Sequence, residues 1–555
     1  MNIGDVIVKT LEDIGVDTIF GGSGQSDSDI LFALEKSKKI KTVIIRNEQA
    51  ASFMACGYAM FSNKLGVCFS TAGPGVINLF SGVAVALSDS LPILCISPYA
   101  PKEYRGKGDL GETTGLHRTP DTQAMFRATT KGAFMIERPE QTCDILEEAI
   151  NLAFEGRPGP VNLHVDYNIM KVEVPNVRPI KLEIRPVLPL AKNVEQFADA
   201  LAGLLEKKKK VVALLGYGCV RSGAEKELLA FVEKFQIPFM TTMDGKGMLP
   251  EDHPLHLGMT GISGDLGAKR AFKEADAVIA IGNSFAKWST WMFNKDLFAD
   301  KLLFRINIDP HEISRYYQAD YYMVSDVKPA IQKLNESLGR RVSRVEKAAM
   351  PVEKKFADEK IDHKGPKIHP GQLVQEISKH LPEKSIILGD AGAHMLWLAA
   401  YLKLTKGQNY QNPGSFGPMA VNVNSSIGIK CAVPERTVVA AVGDGDYQMA
   451  GFELMTAVEN KIPVVWVIFN NNEFNIIKMF QLRIRKAEVF NRFLNPNFKA
   501  YAEACGALGF RVEKIEDFAP AFQKALASGK PALIDVVVEP DIYPPFNPYN
   551  EPAKP

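Results

Sequence analysis

Residues 437–472 read TVVAAVGDGDYQMAGFELMTAVENKIPVVWVIFNNN. The apolar runs near its two ends, Thr437–Ala441 and Val464–Phe469, predict strands buried on both faces of a parallel sheet, with a helix between them. Residues 446 to 469, which are 24 positions, separate Gly443-Asp444-Gly445 from the pair Asn470-Asn471. Because parallel strands end at the same edge of a sheet, we expect Asn471 to lie beside Asp444.

The turn between the first strand and the helix has the composition of a phosphate and metal site. Glycines at a strand end let the backbone approach a phosphate, and the start of the next helix favours negative charge. Asp444 and Asn471 supply hard oxygen ligands, which Mg²⁺ commonly combines with substrate phosphates. The stretch therefore predicts a diphosphate held through Mg²⁺, with a backbone carbonyl as a further ligand. Asp446 fits this turn only if its side chain turns away, because an acid beside a diphosphate is electrostatically unfavourable.

Short apolar runs alternate with helix-period segments along almost the whole chain, which predicts repeated βα units and an α/β fold class. The further runs predicted as buried strands are Thr42–Ile45, Val67–Phe69, Pro92–Ile96, Val161–Val165, Val211–Leu215, Ala277–Ile281, Leu303–Ile308, Ser385–Leu388 and Ala532–Val537.

Two stretches break the rhythm and are interpreted as linkers. Residues 171–189 are rich in Pro and charge, and the charged segment from about 343 to 370 ends in GPKIHPG. A chain of 555 residues is also too long for one hydrophobic core. We therefore predict three doubly wound α/β domains with mostly parallel sheets, at 1–175, 190–342 and 368–555.

Composition narrows the class of protein. The formal net charge is +1, so no basic excess favours nucleic acid or an anionic membrane as a partner. The seven cysteines are scattered, which is typical of reduced thiols. The N-terminus has acids and no long apolar run, and no stretch of about 20 apolar residues occurs elsewhere. We expect a cytoplasmic protein without a signal peptide or membrane span.

A second candidate site lies near the N-terminus. The predicted strand Thr42–Ile45 leads to Glu48 and a small-residue helix, QAASFMACGYAM. A carboxylate at this turn could simply cap the helix, since acids favour helix N-termini, or it could act chemically. The runs STAGPGVINL (70–79) and ALSDSLPIL (86–94) follow it.

Taken together, these motifs resemble thiamine-diphosphate-dependent enzymes, in particular the acetolactate synthase-like branch. The resemblance covers nearly the whole chain and continues in the runs LLGYGCVRSGAEKELL, PFMTTMDGKGMLPEDHPLHLGMTG, DAGAHMLW, GSFGPMAVNVNSSIG and NNNEFNIIKMFQ. It implies a pyrimidine-binding first domain, a central Rossmann-like domain and a diphosphate-binding third domain.

The resemblance also implies thiamine diphosphate and Mg²⁺ as cofactors. It places Asp444, Asn471 and the carbonyl of Glu473 on the metal. The cofactor-binding positions that it implies are Glu48, Gly73, Pro74, Asn78, His394, Gly417, Met419, Gly443, Asp444, Gly445, Asp446, Asn471 and Asn475. Met419 matches the apolar residue over which the cofactor bends, although a core methionine is an equal alternative. His394 matches a diphosphate contact, with Ala393 where the family has Gln.

Glu48 acquires a catalytic role through the same resemblance. A carboxylate bonded to the cofactor's aminopyrimidine promotes loss of the thiazolium C2 proton, while the cofactor serves as the electron sink. The resemblance further implies that Glu48 and Asp444 of one active site come from different chains. A homodimer or homotetramer with active sites at the subunit interface is therefore expected.

Departures from the family cluster where substrate is expected. The first loop reads GGSGQSDSD (21–29), and His117-Arg118-Thr119 replaces Phe-Gln-Glu ahead of Lys131. The candidate pocket residues are Gln25, Ser26, His117, Arg118, Lys131 and Phe480. Glu48, His117 and Gln25 are the catalytic candidates, and the imidazole of His117 could protonate or deprotonate an intermediate. His117, Arg118 and Lys131 could equally be ordinary surface residues.

The predicted activity is that of an acetolactate synthase-like carboligase acting on a 2-oxo acid such as pyruvate. A non-oxidative 2-oxo acid decarboxylase or an aldehyde lyase, which acts on 2-oxo acids or aldehydes, is the close alternative. A catalytically inactive binding subunit is a third possibility. The stretch GNSFAKWSTWMF (282–293) stands where the family has Arg-rich FAD contacts, so FAD is not expected.

Overall fold

The computed structural model describes residues 1–342, 353, 355–405 and 407–548. These residues form three six-stranded sheets whose strands pair in parallel, and helices flank each sheet. The predicted α/β class is thus confirmed. Residues 343–352 and 354 of the second predicted linker lie outside the described residues, as do residues 549–555 of the C-terminal tail.

The N-terminal domain has its strands in a doubly wound order. The strands are β1 (Thr18–Gly21), β2 (Lys41–Ile44), β3 (Gly66–Phe69), β4 (Ile93–Tyr99), β5 (Gly132–Ile136) and β6 (Val161–Asp166). The helices are α1 (Ile3–Asp13), α2 (Ser28–Lys36), α3 (Glu48–Ser62), α4 (Pro74–Asn78), α5 (Phe80–Ser88), α6 (Thr122–Thr129) and α7 (Thr142–Phe154), with a 3₁₀ turn at Pro139–Gln141. The spatial order of the strands is β2-β1-β3-β4-β6-β5. Every residue of β4 is buried, as expected for a strand covered on both faces.

The central domain has the strand order of a Rossmann fold. The strands are β7 (Val211–Leu215), β8 (Phe239–Thr241), β9 (His256–Met259), β10 (Ala277–Ile281), β11 (Leu302–Asn307) and β12 (Tyr321–Val324). The helices are α8 (Ala191–Glu206), α9 (Tyr217–Arg221), α10 (Glu225–Lys234), α11 (Leu266–Glu274) and α12 (Val327–Arg341), with a 3₁₀ turn at Pro310–Glu312. The order β12-β11-β10-β7-β8-β9 reverses direction between β7 and β10, which is where such sheets open a crevice.

The C-terminal domain repeats the strand order of the N-terminal domain. The strands are β13 (Ile386–Gly389), β14 (Asn409–Gln411), β15 (Val438–Gly443), β16 (Val465–Asn470), β17 (Leu508–Val512) and β18 (Ala532–Val537). The helices are α13 (Pro370–His380), α14 (Ala393–Tyr401), α15 (Val421–Ala432), α16 (Asp444–Ala450), α17 (Leu454–Glu459), α18 (Asn475–Arg485), α19 (Phe498–Ala504) and α20 (Phe518–Ala527). Short 3₁₀ turns lie at Phe356–Asp358, Gly451–Glu453 and Ile515–Asp517. The spatial order is β14-β13-β15-β16-β18-β17.

Helices α3 and α15, which hold equivalent places in the first and third domains, pack directly against each other. Glycines make this crossing possible: a Cβ on Gly57 would lie 2.3 Å from the Ser425 carbonyl oxygen, and one on Gly428 would lie 1.9 Å from that of Met54. The buried core continues from one sheet to the other through these helices. The two domains are therefore joined by a buried apolar interface as well as through the intervening chain.

The described part of the tail, residues 540–548, runs along α18 to the central domain. Asp541 accepts a hydrogen bond from Lys478 at 2.7 Å, and Phe546 lies against Phe480. The Asn547 N–H then donates to the Ile262 carbonyl at 2.6 Å. Residues 540–548 thus form a segment without helix or strand that bridges the two domains. Within the described ranges, no helix combines the length and the apolar character that a membrane crossing requires.

Candidate active site

A cavity of about 510 Å³ opens between the central and C-terminal domains. It lies beyond the carboxyl ends of β13, β15 and β16, where doubly wound sheets place their ligands. The central domain closes it with Met243 and Asp244 after β8 and with residues 286–289 after β10. One end is polar and contains the Gly443–Asp446 turn, and apolar side chains such as Met243, Trp288 and Met419 line other walls.

The turn at the end of β15 brings Asp444 beside the end of β16. Strands β15 and β16 pair in parallel with Gly443 opposite Phe469, so the next residues of each strand meet at one edge. The Asp444 Oδ2 accepts the Asn471 N–H at 3.0 Å and the Asn472 N–H at 2.7 Å. Burial raises the pKa of Asp444 to about 6. A cation at this carboxylate would offset that desolvation.

The other predicted metal ligands lie on the turn that follows β16. The Asn471 side-chain oxygen accepts the Glu473 N–H at 3.2 Å, and the Glu473 carbonyl accepts the Asn475 N–H at 3.0 Å. The Glu473 carboxylate points elsewhere, to Lys478 at 3.0 Å. No group of three His, Cys, Asp or Glu side chains suited to a metal occurs among the described residues. The donors here are one carboxylate, one amide and one carbonyl, all hard oxygens that fit Mg²⁺.

Asp446 turns back on its own helix. Its Oδ2 accepts the Gly443 N–H at 3.0 Å and lies 3.3 Å from the His394 Nε2. Burial, and then the negative charge of Asp390, raise the pKa of Asp446 well above its ordinary value. Burial also lowers the pKa of His394 to about 3, so the pair is not an ordinary ion pair. The carboxyl group of Asp446 thus caps the N-terminus of α16. It faces its own helix, as expected for an acid at this position.

The remaining cofactor candidates of this domain line the same cavity. Met419 and Gly417 do so on the loop before α15, and Gly417 has a positive φ of 65°. A Cβ on Gly445 would lie 2.8 Å from the Phe474 ring, so this glycine is required for close packing. Asn475 is buried, and its amide donates to the Glu473 Oε1 at 3.0 Å and to the Pro540 carbonyl. The structure thus brings these residues together with Asp444.

Glu48 lies at the first position of α3 but does not cap it. Asn47 is the N-cap, since its side chain accepts the Gln49 N–H at 2.9 Å. The Glu48 Oε2 accepts from the Asn78 Nδ2 at 2.9 Å. A Cβ on Gly75 would lie 3.0 Å from the Glu48 Oε1, so this glycine keeps room beside the carboxylate. Glu48 and Asn78 therefore form a preformed polar pair.

The glycine-proline pair that precedes α4 packs against a neighbouring loop. Gly73 has a φ of 76°, and a Cβ there would lie 2.6 Å from the Gly111 Cα. Pro74 starts α4, where its missing N–H has no consequence. The 101–121 loop is thereby held next to the Glu48 half of the site.

Gln25 and Ser26 differ in their surroundings. Gln25 is exposed. The Ser26 hydroxyl accepts the Ala72 N–H at 2.8 Å and is bonded to the Thr71 hydroxyl at 2.8 Å. Ser26 thus ties its loop to the 70–75 turn that also flanks Glu48.

His117 and Arg118 are exposed on the 101–121 loop, and both have positive φ, 46° and 62°. The loop is organised by buried Glu112, whose carboxylate accepts the N–H groups of Gly108 and Asp109 at 3.0 and 3.2 Å. A fixed loop carries these two side chains to the surface.

Lys131 lies apart from that loop. Its ammonium group donates to the Glu155 carbonyl at the end of α7, and burial lowers its pKa. Its amine is thus already used to satisfy a helix terminus.

Phe480 belongs to the C-terminal half of the site. Its ring lies 6.1 Å from that of Trp288 and 6.3 Å from that of Phe546. The three rings pack together, and of them only Trp288 is among the described residues that line the cavity, so Phe480 contacts the cavity wall through Trp288 rather than lining it.

The predicted residues therefore fall into two separate groups. Among the described residues that line the cavity, none belongs to the N-terminal domain. Glu48, Gln25 and His117 consequently lie outside the cavity that Asp444 lines in the same chain. The described structure thus has one group of predicted site residues around Glu48 and another around Asp444.

Sequence reasoning missed several residues around these two groups. Glu453 accepts hydrogen bonds from the turn before Glu48, Asn495 donates to Asp444, and buried Asp390 accepts the first N–H groups of α15. Trp288 and Lys287 line the cavity from the central domain. The contacts of Glu453 and Asn495 join positions far apart in sequence, so no local sequence pattern predicts them.

Comparison with known families agrees with this architecture. The C-terminal domain of thiamine pyrophosphate enzymes, described as TPP-binding, matches residues 390–536, and the central domain of the same enzymes matches residues 198–334. The N-terminal TPP-binding domain matches residues 1–125.

Curated relatives cover almost the whole chain. The acetolactate synthase large subunit of Corynebacterium glutamicum is 31% identical over 96% of this chain and 86% of its own length. The probable acetolactate synthase large subunit of Methanocaldococcus jannaschii is 31% identical over 97% of this chain and 92% of its own. The chloroplastic acetolactate synthase of Arabidopsis thaliana is 31% identical over 96% and 81%.

Three α/β domains with parallel sheets, and a GDG turn at the end of a strand, are features of an enzyme that binds a diphosphate-containing cofactor. The chain belongs to the thiamine pyrophosphate enzyme family, within its acetolactate synthase-like branch. Thiamine diphosphate is accordingly its cofactor.

Proposed function

We propose that the protein is a thiamine-diphosphate- and Mg²⁺-dependent carboligase that uses pyruvate or a similar 2-oxo acid. Its relatives bear the name acetolactate synthase, and they match this chain from end to end. The observation that carries the proposal is the cavity between the central and C-terminal domains, which has Asp444 at its polar end.

The oxygens of Asp444, Asn471 and the Glu473 carbonyl are the proposed Mg²⁺ ligands. When bound, thiamine diphosphate supplies a thiazolium carbon that attacks the 2-oxo acid and stabilises the negative charge left when CO₂ departs. The turn around Gly443 and Gly445 would receive the diphosphate. The apolar wall of Met243 and Trp288 would keep water away from the reacting carbon.

Glu48 is the proposed proton-handling residue. Its Oε2 is fixed by Asn78, while its Oε1 accepts no hydrogen bond from the described residues. That oxygen is therefore available to the cofactor's aminopyrimidine nitrogen. A carboxylate there would hold the proton that the ring must exchange before the cofactor becomes nucleophilic.

We further propose that each active site forms between two chains of a homodimer or homotetramer. No residue of the N-terminal domain is among the described residues that line the cavity at Asp444 in the same chain. Large apolar side chains are also exposed on both halves: Leu110 at 93% on the loop beside Gly73, and Phe490 at 100% and Leu494 at 92% on the segment beside Asp444. A second copy of the chain would bury these side chains.

In this arrangement we propose that residues of both halves contact the substrate. Gln25, Ser26, His117 and Arg118 lie on two loops of the Glu48 half, and the partner's cavity would bring them near substrate. Phe480 would act through Trp288, which lines the cavity and packs against it. Lys131 is the weakest member of this set, since its ammonium group already serves the end of α7.

No flavin is proposed in the central domain. The crevice at its β7–β10 switch point has a volume of about 170 Å³. A Cβ on Gly216 would lie 2.4 Å from the Gly282 carbonyl oxygen, so the two loops already fill each other's space. The flavin's visible absorption band in purified protein would contradict this proposal.

A cytoplasmic location is proposed from the cysteines. All seven are unpaired, and five of them are buried. Structural thiols that stay reduced are typical of a reducing compartment.

Incubation of purified protein with thiamine diphosphate, Mg²⁺ and pyruvate tests the proposed activity. Acetolactate as the product supports it, whereas acetaldehyde would assign the protein to the decarboxylases instead. Failure to release CO₂ from pyruvate or any other 2-oxo acid would refute the proposal. Omitting Mg²⁺ after chelation is the control, and activity should then be lost.

A further inference from the structure

The two oxygens of the Asp444 carboxylate accept different numbers of hydrogen bonds. Oδ2 accepts three hydrogen bonds, from the Asn471 N–H, the Asn472 N–H and the Asn495 Nδ2, at 3.0, 2.7 and 2.7 Å. Oδ1 accepts one, from the Gly445 N–H at 3.0 Å. Oδ2 is therefore saturated by the protein, and Oδ1 retains capacity for a further partner.

Asn495 supplies the only one of those three Oδ2 donors that is a side chain. Its Nδ2 carries two hydrogens, and the second is given to the Asn470 Oδ1 at 2.8 Å. Its own Oδ1 accepts from the Gln448 Nε2. Because a carboxylate only accepts hydrogen bonds, the amide must face Asp444 with its nitrogen, and every polar atom of Asn495 is then used.

The same network extends to the next strand. The Asn470 Nδ2 donates to buried Asp535 at 2.7 Å, and Asp535 is paired with Arg511. Asn495 thereby connects the ends of β15 and β16 to a chain of polar contacts that reaches β18.

Backbone pairing fixes Asn495 against the metal turn. The Phe474 N–H donates to the Asn491 carbonyl at 2.8 Å, and the Phe493 N–H donates to the Asn472 carbonyl at 3.1 Å. Residues 489–495 thus lie across the turn that carries Asn471 and Glu473.

We propose that Asn495 is a positioning residue of the metal site, which fixes the Asp444 carboxylate so that Oδ1 is presented to Mg²⁺. This inference rests on the proposed Mg²⁺ site. Partners that orient a metal ligand commonly contribute 10–100-fold, as an order of magnitude, to metal affinity. Asn495 should act on metal binding through Asp444 without touching the metal.

Asn497 offers a matched control two residues away. Its side chain accepts the Ala500 N–H at 3.0 Å and caps α19, and among the described residues no hydrogen bond joins it to Asp444. Asn497→Ala should therefore lower the unfolding temperature without changing metal affinity. Exposed Gln448, which bonds to the Asn495 Oδ1, gives a milder second variant in Gln448→Ala.

The experiment measures Mn²⁺ binding to the full-length chain in the presence of thiamine diphosphate, from the electron paramagnetic resonance signal of free Mn²⁺. Asn495→Ala should raise the Mn²⁺ dissociation constant by roughly 10–100-fold, and Gln448→Ala should raise it several-fold. Asn497→Ala should leave it within about twofold of wild type. Thermal unfolding without metal is recorded for each variant.

The outcomes separate the two proposals. Wild-type protein that fails to bind Mn²⁺ refutes the Mg²⁺ site itself. Wild-type binding with an unchanged dissociation constant in Asn495→Ala refutes only the positioning role. If Asn495→Ala does not fold, Gln448→Ala decides, and an unchanged dissociation constant there overturns the inference. A loss of affinity in Asn497→Ala equal to that in Asn495→Ala would also overturn it.

Discussion

The Asn47 N–H donates to the Glu453 carboxylate over 3.0 Å, and this bond ties the turn before Glu48 to the C-terminal domain. The same oxygen accepts the Arg46 N–H at 2.9 Å. Glu453 is buried, so its carboxylate uses these two backbone donors of exposed residues in place of water. The turn that precedes Glu48 in the N-terminal domain is thus held by Glu453 of the C-terminal domain.

Glu453→Ala should therefore destabilise the protein and disturb Glu48. Two backbone N–H groups would lose their charged acceptor, and because Arg46 and Asn47 are exposed and water can replace part of it, we expect a loss of about 1–3 kcal/mol in total. We expect a lower unfolding temperature and slower hydrogen–deuterium exchange at the cofactor's thiazolium C2. Glu459→Ala is the control, because Glu459 pairs with Arg46 at the surface and should contribute less than about 1 kcal/mol. Equal effects of the two substitutions would contradict the prediction.

Glu48→Gln should bind thiamine diphosphate but fail to activate it. The amide keeps the size of the side chain and can still meet Asn78, but it does not exchange a proton as a carboxylic acid does. We expect near-normal cofactor affinity by calorimetry with C2 proton exchange slowed by about 10²–10⁴-fold. Exchange at the wild-type rate would remove Glu48 from its assigned role. Asn78→Ala, which removes only the partner of Oε2, should give an intermediate rate.

Asp444→Ala and Glu48→Gln should complement each other when the two inactive proteins are mixed. If every active site takes Glu48 from one chain and Asp444 from its partner, a mixed dimer regains one intact site. Random exchange of subunits would then restore about a quarter of wild-type activity. Activity is measured after subunit exchange at equal concentrations, and each variant alone serves as the control. No recovery, with mixed dimers demonstrated by mass spectrometry, would place both residues in one chain's site.

The GDG stretch illustrates how much of the site can be predicted from the sequence. Its spacing predicts that the ends of β15 and β16 meet, and the Asn471 N–H does lie 3.0 Å from the Asp444 Oδ2. Electrostatics alone also predicts the orientation of Asp446, whose carboxyl turns back to its helix. Each apolar run predicted as a strand overlaps an observed one, because buried parallel strands leave a strong local pattern.

Contacts between distant segments escape such reasoning. Glu453 meets Asn47 across 406 positions, and nothing near either residue signals the other. Strand β14 has only three residues, and edge strand β12 has one buried residue among its four, so neither gives a long apolar run. The sequence shows Gly57 only as a small residue in a helix, and the need for glycine there follows from its contact with α15. Packing, rather than propensity, decides these features.

Asp89 should make the stability of the protein fall as pH rises from about 4 to about 7. Its Oδ1 accepts the Ser415 N–H at 3.0 Å at the junction with the C-terminal domain, and burial raises its pKa to about 7. The folded protein therefore holds a proton on Asp89 that the unfolded chain releases near pH 4. Stability that is present below about pH 4 is lost as pH rises towards 7, at no more than about 1.4 kcal/mol per pH unit.

The Asp89→Asn variant isolates this contribution, because the amide keeps an oxygen for the Ser415 N–H and does not ionise. We expect its unfolding temperature to fall less than that of wild type between pH 5 and pH 7.5, so that the difference between the two proteins grows with pH. Other titrating groups cancel in this comparison, since both proteins share them. Parallel curves would show that Asp89 does not take up a proton on folding, and a difference that shrinks with pH would mean that its carboxylate is stabilised instead.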